Sequence, residues 1–222
     1  MFTKKEENTL QLKLNLNKIY PSGFKVSDLP SREYNGESSQ KYGHIDKRVT
    51  KFGDIVHNLF EKHLTEDNRI NNKETMFKHG FNWIIKAKLD LNYVKRLYSI
   101  IENFDEKTQL EEAFGGNIRV LGLEVPLTDF ISTSLLSGRV DKLATNGKDL
   151  FIIDYKTTLK TKNINAFRGQ GNSYRYLIEQ SGDYKNYENV YFVINYLDLG
   201  LIHYQKLSDD YKLIPKIVRE NY

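Results

Sequence analysis

The stretch from Gly138 to Lys156 contains two β-strand patterns that flank the dipeptide Asn146-Gly147. Asn-Gly is the strongest short signal for a hairpin, because both central residues of a type I′ turn need positive φ. A two-residue loop would pair Asp141 with Ile152, and a four-residue loop would pair it with Asp154. Either loop puts both aspartates on one face of the sheet, whereas an odd-length loop or a bulge would separate them.

Three charged side chains are therefore expected on that face: Asp141, Asp154 and Lys156. Two carboxylates beside an apolar strand repel each other and lose hydration, and a divalent cation would relieve both problems. Mg²⁺ favours one or two carboxylates, with water and substrate phosphate as its other ligands. Lys156 would then hold a water or stabilise charge on a pentavalent phosphate. The alternative is a surface hairpin with a chance ion pair.

The residues Gly138-x-x-Asp141, followed by an apolar strand that ends Asp154-Tyr155-Lys156, resemble the active-site core of the RecB-type PD-(D/E)XK nucleases. The resemblance implies a metal-dependent nuclease in which Asp141 and Asp154 hold one or two metal ions. It also implies that the Tyr155 carbonyl is a further ligand and that Lys156 positions or helps to deprotonate the attacking water. The expected products carry a 5′-phosphate and a 3′-hydroxyl.

A second motif lies on a helix that apolar spacing predicts from Val49 to Leu64. Gly53-x-x-x-His57-x-x-x-Glu61 resembles the RecB-family motif whose histidine adds a metal ligand. Because a neutral imidazole suits Mn²⁺ better than Mg²⁺, Mn²⁺ is expected to be tolerated or preferred. Glu61 is expected to be structural or to orient a neighbouring basic group. A histidine that only packs at the helix border is the alternative.

Two further motifs are similar to the same family. Glu124-Val125-Pro126 matches its Glu-x-Pro, and Glu124 is expected either near the metals or bonded to the backbone. Gln170 and Tyr174 form its Gln-x-x-x-Tyr pattern on a helix that, in the relatives, flanks the active site and contacts DNA. Gly171 on the packed side of this helix predicts a close approach to the sheet.

A length of 222 residues predicts a single domain with a full core. Its order of helix, three strands, helix and strand is that of the αβββαβ core of the restriction-endonuclease-like PD-(D/E)XK fold, an α/β mixed sheet flanked by helices, here with an N-terminal helical elaboration. The expected parts are an N-terminal strand (9–16) and loop (31–43) within 1–48, a helical part (49–105), a catalytic sheet with its flanking helix (117–207) and a C-terminal helix (208–222). Within them the strands are placed at 117–127, 132–145, 188–196 and 201–207, with helices in 71–104 and at 163–180.

Charge distribution says more than the net charge of +4, which results from 33 basic and 29 acidic residues. No acidic residue lies between Thr157 and Arg175, a stretch that follows the predicted metal site. Such a basic stripe is the expected footprint of a nucleic-acid backbone, and a solvated face is the alternative. The expected DNA-binding residues are Lys160, Lys162, Arg168 and Arg175.

The chain has no cysteine, which fits a reducing compartment and excludes the four-cysteine iron–sulfur cluster of some RecB-like relatives. No signal peptide or membrane-length apolar run is visible, so a cytoplasmic location without membrane contact is expected. No phosphate-binding loop of a motor is present either. Any helicase activity would therefore belong to another chain.

The leading hypothesis is a DNA exonuclease that uses Mg²⁺ or Mn²⁺ on single- or double-stranded ends. Its short length and lack of a motor make the chain resemble the stand-alone RecB-like exonucleases of phages and of mitochondrial genome maintenance. Two alternatives stay open. One is a nuclease subunit that is active only with a helicase or recombination protein, and the other is a non-catalytic nucleic-acid-binding domain on the same fold.

Overall fold

The computed structural model describes residues 24–26, 46–131, 134–162, 167–182 and 186–221. The predicted strand at 9–16 and loop at 31–43 lie outside these residues. The described elements are, in chain order, β1 (Phe24–Lys25), α1 (Lys47–His63), α2 (Lys73–Lys86), α3 (Leu91–Glu102), α4 (Glu106–Phe114), β2 (Arg119–Ile131), β3 (Ser134–Thr145), β4 (Asp149–Lys156), α5 (Arg168–Ser181), β5 (Asn189–Tyr196), β6 (Leu201–Lys206), a 3₁₀ helix (Asp209–Leu213) and α6 (Ile214–Asn221).

The strands form one mixed sheet in the order β1-β3-β4-β5-β6, with β2 paired to β3. The β2–β3, β3–β4 and β5–β6 pairs are antiparallel, whereas β4 and β5 are parallel. A parallel pair needs a crossover connection, and α5 supplies it. The arrangement confirms the α/β class and the αβββαβ order that the sequence predicts.

Strand β4 lies at the centre of the sheet and is buried on both faces. Phe151 and Ile153 pack with helices α1 to α4, while Leu150 and Ile152 pack with α5 and α6. Because helices cover both faces of β4, its sequence contains a continuous run of apolar residues instead of an alternating pattern. A charged residue placed on this strand is therefore taken out of water.

Helix α1 buries the apolar face that the sequence predicts and approaches the end of β4 closely. A Cβ atom at Gly53 would lie only 3.3 Å from the Oγ1 of Thr157, the residue that follows β4. Glycine therefore permits this contact. The next turn of α1 then carries His57 to the edge of the sheet.

Helix α5 crosses the other face of the sheet at the same end. A Cβ atom at Gly171 would lie 2.8 Å from the Phe192 ring of β5, which confirms the close approach predicted from this glycine. Gln170 and Tyr174, one turn apart, consequently lie over β3 and β4.

Two elements differ from the predictions. Helix α4 was not predicted, because its buried residues are one leucine, Leu110, and one acid, Glu106, and so give no apolar stripe. Strand β2 does not end at Pro126 but continues to Ile131. Among the described strands β2 pairs only with β3, so Pro126 sits on an edge strand, where a missing N–H is tolerated.

Within the described ranges, no helix combines the length and the apolar character needed to cross a bilayer.

Candidate active site

The β3–β4 hairpin sets the relative position of the two aspartates. Its register pairs Thr145 with Leu150 and Lys142 with Ile153. Continued by one residue, the same register puts Asp141 across from Asp154. The two-residue loop considered from the sequence is therefore wrong, and the four-residue alternative is the one observed.

The turn explains this outcome. The side-chain oxygen of Asn146 accepts hydrogen bonds from the main-chain nitrogens of Lys148 (3.0 Å) and Asp149 (2.8 Å). Gly147 has φ of +94°, whereas Asn146 does not belong to the described residues with positive φ. Asn146 thus begins an Asx-type turn instead of occupying a type I′ turn.

Asp141 lies where the ladder between β3 and β4 stops. Its Oδ2 accepts a hydrogen bond of 2.7 Å from the main-chain nitrogen of Tyr155. Its Oδ1 lies 3.4 Å from the Nδ1 of His57. One carboxylate oxygen therefore joins the strands, and the other faces the imidazole.

Glu124 completes a group of three with these residues. Its Oε1 lies 3.9 Å from the Nδ1 of His57, and ligand atoms of His57, Glu124 and Asp141 all lie within 4.8 Å of one another. We call these three residues the acid–histidine cluster. The Nε2 of His57 lies 3.3 Å from the Tyr155 carbonyl oxygen, so the histidine also contacts the predicted main-chain ligand.

Glu124 reaches the cluster from β2 through an unusual backbone conformation. The register of β2 pairs Leu123 with Lys142 and Val125 with Val140, so Glu124 lies across from Asp141. Its φ is +49°, a left-handed value that costs a residue other than glycine about 1–2 kcal/mol. Such strain is concentrated at functional sites. Of its two expected places, the structure selects the one near the predicted metal ligands.

Asp154 lies beside the cluster but is not one of its members. It is only 5% exposed. Gln170 donates a hydrogen bond of 2.8 Å to its Oδ1, and the Lys156 ammonium lies 2.5 Å from its Oδ2. Tyr174 lies 3.5 Å from the same Gln170 amide and donates a hydrogen bond of 2.9 Å to the Arg139 carbonyl. The residues of the Gln-x-x-x-Tyr pattern thus hold Asp154 and β3.

Burial and charge shift the pKa values of these groups. Burial raises the pKa of Asp154, and the nearby Asp141 adds to this effect against the influence of Lys156. Burial lowers the pKa of Lys156, but the carboxylates of Asp154 and Asp141 outweigh it and raise that pKa. The pKa of His57 is likewise raised, because the carboxylates, Asp141 first, outweigh burial. In this arrangement Lys156 is a firmly protonated cation.

The donor set fits a divalent ion. The cluster offers one imidazole nitrogen and two carboxylates, and a divalent ion would relieve the repulsion between the carboxylates. Burial and the neighbouring Asp141 raise the pKa of Glu124, as expected for an acid placed beside another acid. Imidazole and carboxylate together suit Mn²⁺, and carboxylate suits Mg²⁺.

The predicted DNA-binding residues fall into two pairs. Lys160 and Lys162 are exposed in the segment that follows β4. Arg168 forms an ion pair with Asp210. Arg175 donates hydrogen bonds to the carbonyls of Leu207 (2.5 Å) and Ser208 (2.8 Å) and lies over the Tyr211 ring. Both arginines thus contact the C-terminal part of the chain, and Arg175 makes the larger number of these contacts.

A cleft opens beside the acid–histidine cluster. Glu61 is exposed and lies in the wall of this cleft, one turn of α1 beyond His57. The residues that line the cleft are Asp54, His57, Asn58, Glu61, Glu124 and Arg139.

Sequence reasoning missed Arg139, although it stands inside Gly138-x-x-Asp141. Its Nε lies 2.6 Å from the Oε2 of Glu124. Because Arg139 precedes Asp141 by two residues on one strand, the alternation of side chains could have indicated it.

A buried polar network behind the site was also missed. Lys142, the residue after Asp141, forms a fully buried ion pair with Glu106 of α4 and donates a hydrogen bond of 2.7 Å to the Asn68 side chain. Asn195 of β5 donates a bond of 2.7 Å to the second oxygen of Glu106. The network ties β3, α4 and β5 together directly behind Asp141.

A mixed sheet that gathers two aspartates, a lysine, a glutamate and a histidine in one place is the arrangement of a metal-dependent nuclease. The chain belongs to the PD-(D/E)XK nuclease superfamily, whose sequence profile matches residues 32–217. The superfamily is one of phosphodiesterases that use divalent metal ions, typically Mg²⁺ or Mn²⁺. A comparison with the sequences of curated proteins found no significant match.

One solved structure that the chain resembles is described as the crystal structure of SSO0001. The two share 14% sequence identity over 86% of this chain and 80% of the other, with a TM-score of 0.32. A likeness this distant says nothing about the substrate of this chain.

Proposed function

We propose that this protein is a RecB-type exonuclease that hydrolyses phosphodiester bonds at DNA ends with Mg²⁺ or Mn²⁺. The observation that carries the proposal is the register that sets Asp141 across from Asp154, with Lys156 in contact with Asp154. Asp141 also belongs to the acid–histidine cluster, which is able to hold a cation, and Asp154 lies beside that cluster. Membership of the nuclease superfamily supports the reaction type, and the RecB-like motifs support the exonuclease role.

In this proposal Asp141, Asp154 and His57 hold one or two divalent ions, with the Tyr155 carbonyl as a further ligand. A bound divalent ion supplies a water of lowered pKa and neutralises charge on the phosphate. Glu124 belongs to the same set of ligands by its position. Gln170 and Tyr174 keep Asp154 and β3 in place, and Glu61 belongs to the wall of the cleft.

Lys156 acts in this proposal as a cation. Its ammonium lies 2.5 Å from Asp154, so in this proposal it holds the attacking water and stabilises charge that develops on the phosphate. The expected products carry a 5′-phosphate and a 3′-hydroxyl.

Lys160 and Lys162 are the residues that we propose to follow the DNA backbone near the site. Both are exposed and follow Lys156 within a few residues. The segment is anchored because Tyr196 exchanges hydrogen bonds of 3.0 Å with the main chain of Lys162. Arg168 and Arg175 are left out of this surface, since the structure gives both a role in holding the C-terminal part of the chain.

The test is digestion of end-labelled linear single-stranded and double-stranded DNA and of circular DNA, with EDTA, Mg²⁺ or Mn²⁺. The expected result is loss of linear but not circular DNA, only with metal, and none with Asp154→Asn. Asp67→Asn, an exposed aspartate that belongs neither to the acid–histidine cluster nor to the lining of the cleft, is the matched control and is expected to cleave like the wild type. Cleavage of circles would replace the exonuclease with an endonuclease, and equal cleavage by Asp154→Asn would overturn the site.

A second candidate function is a nuclease subunit that works only with a partner protein. It is favoured by exposed apolar side chains on the outer surface of the helical layer, where Phe81 and Ile85 of α2 and Tyr98 of α3 are 40%, 57% and 56% exposed. Phe77 joins Phe81 to Tyr98 through ring contacts. An isolated chain that binds Mn²⁺ and DNA but does not cleave would support this function over the stand-alone one.

A further inference from the structure

Arg139 forms an ion pair with Glu124 at the mouth of the acid–histidine cluster. The Arg139 side chain is 69% exposed, whereas that of Glu124 is only 10% exposed. One carboxylate oxygen of Glu124 lies 2.6 Å from the guanidinium and the other lies 3.9 Å from His57. Glu124 is thus shared between a solvent-facing cation and a half-buried group of metal-ligand type.

When no metal ion is bound, the carboxylates around the site need positively charged side chains nearby to balance their charge. Glu124, Asp141 and Asp154 carry three negative charges, which Lys156 and Arg139 reduce to one. A divalent ion bound there would reduce this excess of negative charge and so favour the approach of a backbone phosphate.

The cleft beside the cluster points to where this phosphate would be bound. Its walls contain the acids Asp54, Glu61 and Glu124, which repel a nucleic-acid strand. Of the residues that line the cleft, Arg139 is the one whose side chain is a guanidinium or ammonium group. A strand that enters the cleft therefore needs Arg139, and a guanidinium binds a phosphate through two parallel hydrogen bonds.

We propose, on the basis of the nuclease function above, that Arg139 is a phosphate-binding residue that becomes available only when a divalent ion occupies the acid–histidine cluster. Without the ion, Glu124 holds the guanidinium. With the ion, the charge of the Glu124 carboxylate is shared with the metal through the oxygen that faces His57, and its hold on Arg139 weakens. Arg139 then binds a backbone phosphate of the strand in the cleft, so that metal binding and DNA binding strengthen each other.

Two binding measurements test this coupling without relying on cleavage. The first is calorimetric titration of the DNA-free protein with Mn²⁺. The second is the affinity for a labelled single-stranded oligonucleotide in EDTA and in Ca²⁺, under conditions in which the oligonucleotide stays intact. Both compare the wild type with Arg139→Ala and Arg139→Lys, and Arg119→Ala, an exposed arginine at the start of β2, is the matched control.

The expected result for Arg139→Ala has three parts. Its Mn²⁺ affinity equals or exceeds that of the wild type, because a competitor for Glu124 is gone. Its DNA affinity in Ca²⁺ falls about tenfold, the effect of one charge-assisted contact, and the salt slope falls by about one. In EDTA its DNA affinity matches the wild type. Arg139→Lys, which keeps the charge but not the planar fork, lies between the two.

Two results would overturn the inference. A weaker Mn²⁺ affinity in Arg139→Ala would mean that Arg139 only orients Glu124 as a ligand. An unchanged DNA affinity in Ca²⁺ would mean that Arg139 touches no phosphate. If the wild type itself gains no DNA affinity from the metal and cleaves nothing, the proposed function fails together with the inference. Normal cleavage with an unchanged affinity in Arg139→Ala removes the inference alone.

Discussion

The Lys156 ammonium lies 2.5 Å from one carboxylate oxygen of Asp154, and Gln170 donates a hydrogen bond to the other. This buried acid is therefore held from both sides, by a cation on its own strand and by an amide from α5. Such a held acid cannot turn away from the site. In the proposed mechanism Lys156 has two roles, one toward Asp154 and one toward the substrate.

Lys156→Ala is expected to lower DNA cleavage by at least on the order of 100-fold, because a preorganised cation at the reacting phosphate is lost. DNA affinity should change little, since the backbone contacts that we propose, Lys160 and Lys162, lie elsewhere. Single-turnover cleavage and oligonucleotide binding are the two measurements. Lys86→Ala, an exposed lysine at the end of α2, is the control. Cleavage near the wild-type rate in Lys156→Ala would contradict its catalytic role.

His57→Ala is expected to weaken Mn²⁺ binding at least about tenfold, the lower limit set by the loss of groups that only support metal ligands. The nitrogen that faces Asp141 and Glu124 is lost, while both carboxylates remain. Excess Mn²⁺ should therefore restore part of the cleavage. The measurement is activity against Mn²⁺ concentration, with His79→Ala on α2 as control. A metal dependence identical to that of the wild type would leave His57 a packing residue.

Glu106→Ala is expected to destabilise the protein by about 3–5 kcal/mol, because it leaves the Lys142 ammonium buried without a counter-charge. The double variant Glu106→Gln with Lys142→Met removes both charges and keeps an amide for Asn195, so it should recover part of that loss. Urea unfolding measures both, with the exposed Glu112→Ala on the same helix as control. A double variant less stable than Glu106→Ala would show that charge pairing is not what the network supplies.

Gly171→Ala is expected to destabilise the protein even though alanine is the better helix former by about 1 kcal/mol. The new methyl group would lie 2.8 Å from the Phe192 ring, and overpacking of this kind costs about 1–3 kcal/mol. Cleavage should fall as well, since α5 carries Gln170. Thermal unfolding gives the sign, with Gln180→Ala as the exposed control on the same helix. A stabilised variant would mean that α5 can shift away from the sheet.

The protein is expected to lose stability above about pH 10, where the tyrosines of the unfolded chain ionise. Burial raises the pKa of Tyr155 well above its ordinary value and also raises that of Tyr174. A raised folded-state pKa gives stability that is intact below the unfolded pKa and lost as pH rises toward the folded one. Urea unfolding at about pH 8 and pH 11 measures this loss, which reflects the ordinary tyrosine pKa of about 10.

The Tyr155→Phe variant tests how much of the stability lost at high pH is due to the Tyr155 hydroxyl. Among the described residues the Tyr155 hydroxyl has no hydrogen-bond partner, so its removal should leave stability at pH 8 equal or higher. The variant should also lose less stability between pH 8 and 11 than the wild type. Tyr98→Phe, which removes an exposed hydroxyl, is the control. An equal loss in Tyr155→Phe and the wild type would assign the alkaline transition to other groups.

The sequence predicted the shared face of Asp141 and Asp154 but not the loop between their strands. Asp141 and Asp154 lie on the same face of the sheet whenever the loop has an even number of residues, and both candidate loops, of two and of four residues, meet this condition. The choice between them depends on Asn146, which uses its side chain to cap the turn instead of adopting positive φ. Such a choice is made by local hydrogen bonds that the Asn-Gly signal does not encode.

The polar network behind the site could not be predicted, since it joins residues far apart in sequence. Glu106 lies on a helix with almost no apolar stripe, and Lys142 stands in a strand where a lysine normally faces water. Their burial follows from each other's presence and from Asn68 and Asn195. A charged residue considered by itself is predicted to lie on the surface. Only the tertiary structure reveals a partner that allows it to be buried.

Asp141 uses its two oxygens for different purposes, and this division constrains how the chain can change over evolution. One oxygen accepts a hydrogen bond from the main-chain nitrogen of Tyr155, just beyond the last residue pair of the β3–β4 ladder, and the other oxygen faces His57. A lineage that abandons the chemistry by mutating Asp141 also loosens β3 from β4, whereas the carboxylate of Asp154 contacts only the side chains of Gln170 and Lys156 among the described residues. Inactive descendants of this protein that retain the fold are therefore expected to have lost Asp154 before Asp141.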